Sequence, residues 1–156
     1  MKRVMEKKQY ISKILLNLLL YAVLGIYLFI LFTFLFLKRT SFRSINLVPF
    51  RSILNYLNGD LLARAFALNN IMGNIVLFFP LGSYITLLNR NKKISVNVCL
   101  IALISTLAEI AQYLFCVGVT DIDDVILNTL GGFMGILAFK LIYDFLRRNK
   151  EDEERF

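Results

Sequence analysis

The 156-residue chain has no histidine, no tryptophan, two cysteines and two prolines. Without histidine there is no Ser–His triad, no imidazole base and no His-ligated metal site. The cysteines, Cys99 and Cys116, fall in one segment read as a helix. Seventeen residues of helix separate them by roughly 25 Å, too far for a disulfide between them. They read as ordinary apolar-face residues. Charge of one sign is also scarce inside the long apolar runs: the net charge is +7, but the basic residues sit between those runs and at the ends. They are not interleaved with aromatics, as a base-stacking surface requires, so nucleic acid is excluded as a partner.

What the chain has in quantity is apolar surface. Hydrophobic residues make up 58%, 14 of them Phe, and the mean hydropathy is +0.66. One soluble core of this size cannot bury that much, and a bilayer is its natural solvent. Residues 1–13 form a basic arm and residues 14–37 an uncharged run of 24. That run is long enough to span about 30 Å of hydrocarbon. It is too long for a signal peptide and Lys38-Arg39 follows it, so it reads as a retained helix. Further spans are expected at 70–88, 96–117 and 121–143, followed by a charged tail at 144–156. Pro80 and Gly82 interrupt the second span, and Pro80 is expected to kink it.

Between the first two spans, residues 46–68 read as an amphipathic element, interfacial or re-entrant. Pro49 stands where a helix can start, and Phe50, Ile53, Leu54 and Leu57 have helical spacing. The fold expected is therefore all-α: an integral membrane four-helix bundle with this element between helices 1 and 2. The arm, the 89–95 turn and the tail from Lys140 hold 5, 3 and 5 Lys or Arg, against 5 and 0 in the 38–69 and 118–120 connections. The positive-inside rule then puts both termini in the cytoplasm of a multi-pass cell-membrane protein.

With that orientation "TDIDD" at 120–124 lies on the outer side. Asp121 can cap the fourth helix with Asp123 and Asp124 in its first turn, a purely local role. Depth favours a site. Asn128 falls about 10 Å into that helix, and Glu109 about 12 Å below the same surface on the third. Glu109 and Gln112 share a face; so do Asp121, Asp124, Asn128, Gly131 and Gly135. Asn70 and Asn74 approach from the second span. An ionisable residue in a span is costly and needs a partner, a proton or water. For Glu109 an interhelical hydrogen bond to Gln112, Asn128 or Asn74 is the structural alternative. Gly131 and Gly135 form a G-xxx-G pair suited to close helix packing. Arg51 is either a solvated interfacial charge or a partner of the acidic mouth. Asp123, one residue off the common face, is expected to point elsewhere and to tolerate Asn, whereas Asp124→Asn should fail.

The stretches "NLVPF" at 46–50, "NIVLFFPLG" at 74–82, "STLAEIAQ" at 105–112 and "TDIDDVILNTLGG" at 120–132 resemble the VanZ-like family. The resemblance covers about 46–136. It implies a small integral membrane protein of Gram-positive bacteria, linked to low-level resistance to teicoplanin-type glycopeptides. Carried over by position, its motif residues are Asn46, Pro49, Phe50, Asn74, Pro80, Gly82, Glu109, Gln112, Asp121, Asp124, Asn128, Gly131 and Gly135. Many relatives have a basic residue before the first aspartate, where this chain has Thr120. A phosphate-holding role would therefore fall to Arg51 or another basic residue of 38–69.

Three functions fit. The preferred one is binding of a lipid-linked or amphiphilic envelope ligand, glycopeptides included, through Arg51, Asn74, Glu109, Gln112, Asp121, Asp124 and Asn128. The second is an enzyme modifying an envelope lipid, with Glu109 as general base. No cofactor is expected, although Asp121 and Asp124 could hold a divalent cation through oxygen ligands. The third is a structural subunit of a membrane assembly. Binding is preferred because the sequence offers carboxylates and no evident nucleophile. Pro49, Pro80, Gly82, Gly131 and Gly135 are assigned structural roles. The oligomeric state is not legible.

The topology is open to a direct check. Single cysteines at Asn91 and Thr120, with the native cysteines replaced, are treated with an impermeant thiol reagent on intact cells. Position 120 is expected to label and position 91 to stay silent. The reverse pattern inverts the orientation.

Overall fold

The computed structural model describes residues 2–36, 44–117 and 120–153. The elements are α1 (Lys2–Phe36), β1 (Ile45–Asn46), α2 (Arg51–Leu57), α3 (Leu61–Leu88), α4 (Ile94–Phe115), β2 (Thr120–Asp121) and α5 (Ile122–Glu153). The chain divides into two units, Met1–Lys38 and Arg39–Phe156. The first contains α1, whose uncharged run propagates as one helix.

Among the described residues four helices are long and apolar enough to cross a membrane, with candidate spans Tyr10–Phe36, Leu68–Leu88, Ile94–Phe115 and Ile122–Glu153. The elements differ from the sequence expectation in several places: α1 takes in the basic arm from Lys2, and α4 is shifted to Ile94–Phe115. Residues 61–68 do not belong to a separate amphipathic element, because they form the first turns of α3. Asn58, Gly59 and Asp60 break the chain between α2 and α3, and the apolar pattern then runs unbroken to Leu88. Helix α3 continues through Pro80 and Gly82 without interruption. Helix α5 runs on through the charged tail to Glu153, where Arg147 and Glu151 pair at i, i+4 with N–O 3.2 Å. Leu37, residues 38–43 and Gly118 lie outside the described residues.

Helices α3 and α5 run parallel at backbone contact. A Cβ on Gly131 would stand 2.3 Å from the Ile75 carbonyl oxygen, one on Gly135 2.0 Å from that of Phe79, and one on Gly82 1.9 Å from that of Gly132. Glycine is required there for space, since nothing larger lets the two backbones touch. Ser83 lies against the same seam and donates to the Gly135 carbonyl at 3.0 Å. Helix α4 runs antiparallel to α5. Its C-terminus reverses at Cys116, which adopts a left-handed backbone (φ 56°) and lets the amides of Cys116 and Val117 reach the Tyr113 and Gln112 carbonyls.

The side chains are arranged inside out relative to a soluble bundle. On α4, Asn97, Ile101, Ser105, Glu109 and Gln112 are buried, whereas Leu103, Leu107, Leu114 and Phe115 are exposed. A helix that turns its polar stripe inward and its leucines outward is built for an apolar solvent. The apolar core between the helices is small; Phe78, Ile101 and Ile136 are its fully buried members.

The glycine seam predicts a contrast. Gly135→Ala forces the α3 and α5 backbones apart and should destabilise the purified protein by about 1–3 kcal/mol, the usual range for overpacking. Gly73→Ala, where a Cβ meets nothing within 4 Å, should be neutral or slightly stabilising. Thermal unfolding of both in one detergent checks it, and equal effects would refute the seam.

Candidate functional site

The site is assembled around the start of α5. Asp121 takes the N-cap position there, its Oδ1 accepting the Asp123 amide at 3.0 Å. The local capping role anticipated for Asp121 therefore exists, and the same carboxylate does more. Its Oδ1 also accepts the Asn46 amide at 3.0 Å, and its Oδ2 accepts the Ser52 hydroxyl. Asn46 in turn donates to Ser52 Oγ at 3.1 Å. A short parallel pairing brings these groups together: β1 and β2 align Ile45 with Thr120 and Asn46 with Asp121. The segment from β1 through α2 is thus a strap fastened onto the start of α5.

Asp123 points off the face shared by Asp124 and Asn128, as expected, but it is not idle there: it is the strap's main anchor. It is 1% exposed, and its two oxygens accept backbone amides from Phe50, from Ser52 at 3.0 Å and from Ile53 at 3.3 Å. The reason lies in the start of α2. Phe50, with a left-handed backbone (φ 64°), stands where a Ser, Asp or Asn would normally cap a helix. The free amides of that first turn are met instead by a carboxylate from another helix. A local cap missing at Pro49-Phe50 was the available sequence signal for this role. Ser52 was also overlooked, and for a serine at the start of a short helix the sequence offers no signal.

Glu109 reaches the same end from α4. It is 4% exposed, and its Oε2 accepts the Asp121 amide at 2.9 Å; Thr120 Oγ1 donates to the Glu109 carbonyl at 3.2 Å. Gln112, one turn on, is 7% exposed. Asp124 faces α3, where its Oδ1 accepts the amides of Asn74 at 2.6 Å and Asn70 at 3.3 Å. These three are only half-buried and form the more open edge of the cluster. Asn128 lies one turn further into α5 and is buried; its amide donates to Ser105 Oγ at 2.9 Å, and its Oδ1 is an unfilled acceptor.

The sequence-nominated residues are therefore divided. Glu109, Gln112, Asp121, Asp124 and Asn74 gather at one end of the helices, with Asn128 just inside. Arg51 is exposed on α2 and makes no ion pair among the described residues. Asp121 and Asp124 do not converge on a common point, since one serves the strap and the other α3. Among the described residues no group of three or more His, Cys, Asp or Glu side chains is placed to hold a metal ion.

The VanZ/LLP1 family profile matches residues 26–143. Protein VanZ of Enterococcus faecium is 34% identical over 113 residues, which cover 70% of this chain and 61% of that protein. The alignment thus spans about three fifths of the relative's length. No solved structure matches the fold.

The two neighbouring aspartates should separate on substitution. Asp123→Asn removes one of two acceptor oxygens and presents an NH2 group to backbone donors. An unsatisfied buried donor costs about 1–3 kcal/mol, so the strap should loosen by about that much. At Asp124, Asn retains a carbonyl oxygen for Asn70 and Asn74, and the stability loss should stay under about 1 kcal/mol. Proteolysis within 44–57, compared with thermal unfolding, measures the difference. Equal protection in both variants would show that Asp123 does not hold the strap.

Proposed function

Since the chain belongs to the VanZ/LLP1 family, we propose that it binds a lipid-linked or amphiphilic ligand of the cell envelope through the polar cluster at the start of α5. The observation that carries this reading is the convergence of carboxylates and amides at one end of helices whose outer faces are apolar. Polar groups at membrane depth are costly, and where a chain retains them a ligand or pathway is the default inference. Within the cluster the tasks divide. Asp121 and Asp123 hold the strap. Asp124, Asn70 and Asn74, half-buried, offer acceptors and donors to the hydroxyls and amides of a ligand head group. Glu109, Gln112 and Asn128 back them from inside. Arg51 is available to a phosphate above.

Support for the orientation comes from the opposite end. Arg90, Lys92 and Lys93 are exposed in the α3–α4 turn, and the Arg90 guanidinium lies 5.7 Å from the centre of the Tyr143 ring. A basic turn braced on a tyrosine favours a cytoplasmic location for that end and for the C-terminal end of α5, and the basic arm at 1–13 favours the same side for the N-terminus by its own charge. The cluster then opens toward the outer leaflet. Reduced susceptibility to glycopeptides of the teicoplanin type is the phenotype proposed for this chain.

A second reading has an observation of its own. Glu109 accepts a backbone amide of the α4–α5 connection, the contact expected of a purely structural fastener. Native mass spectrometry and a susceptibility assay separate the two. The wild-type protein should retain an envelope lipid or precursor, and Asp124→Asn and Asn74→Leu should lose it at normal expression, with loss of protection. Glu109→Gln keeps an acceptor oxygen for the Asp121 amide. Full retention of ligand and activity in that variant assigns Glu109 to structure. Absence of any retained lipid in the wild type removes the binding reading.

A further inference from the structure

Helix α3 is longer than a bilayer's hydrocarbon requires. Its 28 residues measure about 40 Å, of which only the part from Asn70 to Leu88, about 27 Å, matches a hydrocarbon core of about 30 Å. Asn70 is level with Asp124 at the start of α5. Helix α4, with 22 residues, is about 32 Å long and fits the same core. The first nine residues of α3 therefore continue about 13 Å beyond the ends of their neighbours. Helix α2 packs beside them, so the two form a projecting hairpin rooted at Asp123.

Its surface is unsuited to water. Leu54, Leu57, Leu61 and Leu62 are between 44% and 84% exposed. Leu61, Leu68, Met72, Val76 and Phe79 continue along α3 at spacings of seven, four, four and three, one exposed apolar stripe that crosses the level of Asn70 unbroken. On the same hairpin Arg51 and Arg64 are exposed, and neither has an ion-pair partner among the described residues. Leucines beside unpaired arginines, just beyond the hydrocarbon boundary, match the chemistry of a lipid headgroup layer, with apolar side chains at the acyl boundary and guanidinium groups on phosphates. The length agrees, since hydrocarbon plus one headgroup layer is about 36 Å, which a modestly tilted α3 fits.

The geometry points to an interfacial hairpin: α2 and the first turns of α3 stand in the headgroup layer of the leaflet at that end, with Arg51 and Arg64 on the phosphates of anionic phospholipids. The polar cluster then lies beneath this layer at the hydrocarbon boundary. A ligand would reach Asp124 and Asn74 sideways from the leaflet rather than from water. This deepens the proposed function and rests on it only for what the cluster holds.

The absence of tryptophan makes the test clean, because a single Leu61→Trp or Met72→Trp reports without background. Both side chains are more than half exposed, so the larger ring is accommodated. Each variant is reconstituted in phosphatidylcholine–phosphatidylglycerol vesicles whose acyl chains are brominated near the top or near the end. Leu61→Trp should be quenched by the shallow bromine and hardly by the deep one or by aqueous acrylamide. Met72→Trp should respond more to the deep bromine. The wild type should retain phosphatidylglycerol over phosphatidylcholine in native mass spectra, and Arg51→Gln with Arg64→Gln should cut that preference several-fold. Quenching of Leu61→Trp by acrylamide as strong as in Lys92→Trp, with no effect of either bromine, puts the hairpin in water and overturns the proposal. Dominant quenching by the deep bromine makes it re-entrant and also overturns it. An unchanged lipid preference in the double variant removes the arginines' role. Failure to find an envelope ligand at the cluster leaves all these readings untouched, so the two proposals fail separately.

Discussion

The carboxylate of Asp123 satisfies the amides of a helix that cannot cap itself, and the geometry of the cluster follows from that contact. The first amides of a helix need acceptors, and α2 finds them on another element rather than in its own cap residue. Asp123 supplies two oxygens from a position fixed by α5. Once α2 is seated, Ser52 and Asn46 fall onto Asp121, and the Asp121 amide falls onto Glu109. The chain of contacts thus runs from strap to α5 to α4 through alternating side-chain and backbone groups. Each member fixes the next, and such networks gain strength when every donor is answered.

The second constraint is the backbone contact of α3 with α5. It sets these helices parallel and brings Asn70 and Asn74 to the level of Asp124. A larger residue at Gly82, Gly131 or Gly135 would widen the seam and draw the asparagines away. Packing far from the cluster therefore determines the distance between its two sides. The more open edge of the site is the one that depends on glycine.

Much of this was legible in the residues. Long apolar runs separated by short polar connections gave four apolar helices, and the spacing of Gly131 and Gly135 announced close packing. Glu109, Gln112, Asp121, Asp124 and Asn74 were nominated from depth and face, and they do gather at one end. The misreadings share a cause. Helical-wheel reasoning knows only the faces of the helix being drawn, so Asp123 looked idle because it lies off the α5 face shared by Asp124 and Asn128. Its partners come from residues 50–53, some seventy positions away, and no periodicity on α5 reveals them. The extra turns of α3 were missed because residues 61–68 were grouped with the element before them, although their helical pattern is continuous with the span. Arg51 reads from the sequence as either a solvated interfacial charge or a partner of the acidic mouth, and on α2 it is exposed.

The separation in sequence between strap and anchor also sets an order of events in the cell. A chain emerging from the ribosome delivers residues 50–53 well before Asp123, since 73 positions lie between Phe50 and its carboxylate partner. Throughout that interval α2 lacks its cap, and at its end the cluster still does not exist even though the segments of three apolar helices have been made. Arrival of Asp123 at the start of α5 is what supplies the acceptors, and a chain ending before residue 123 would leave the first-turn amides of α2 unanswered.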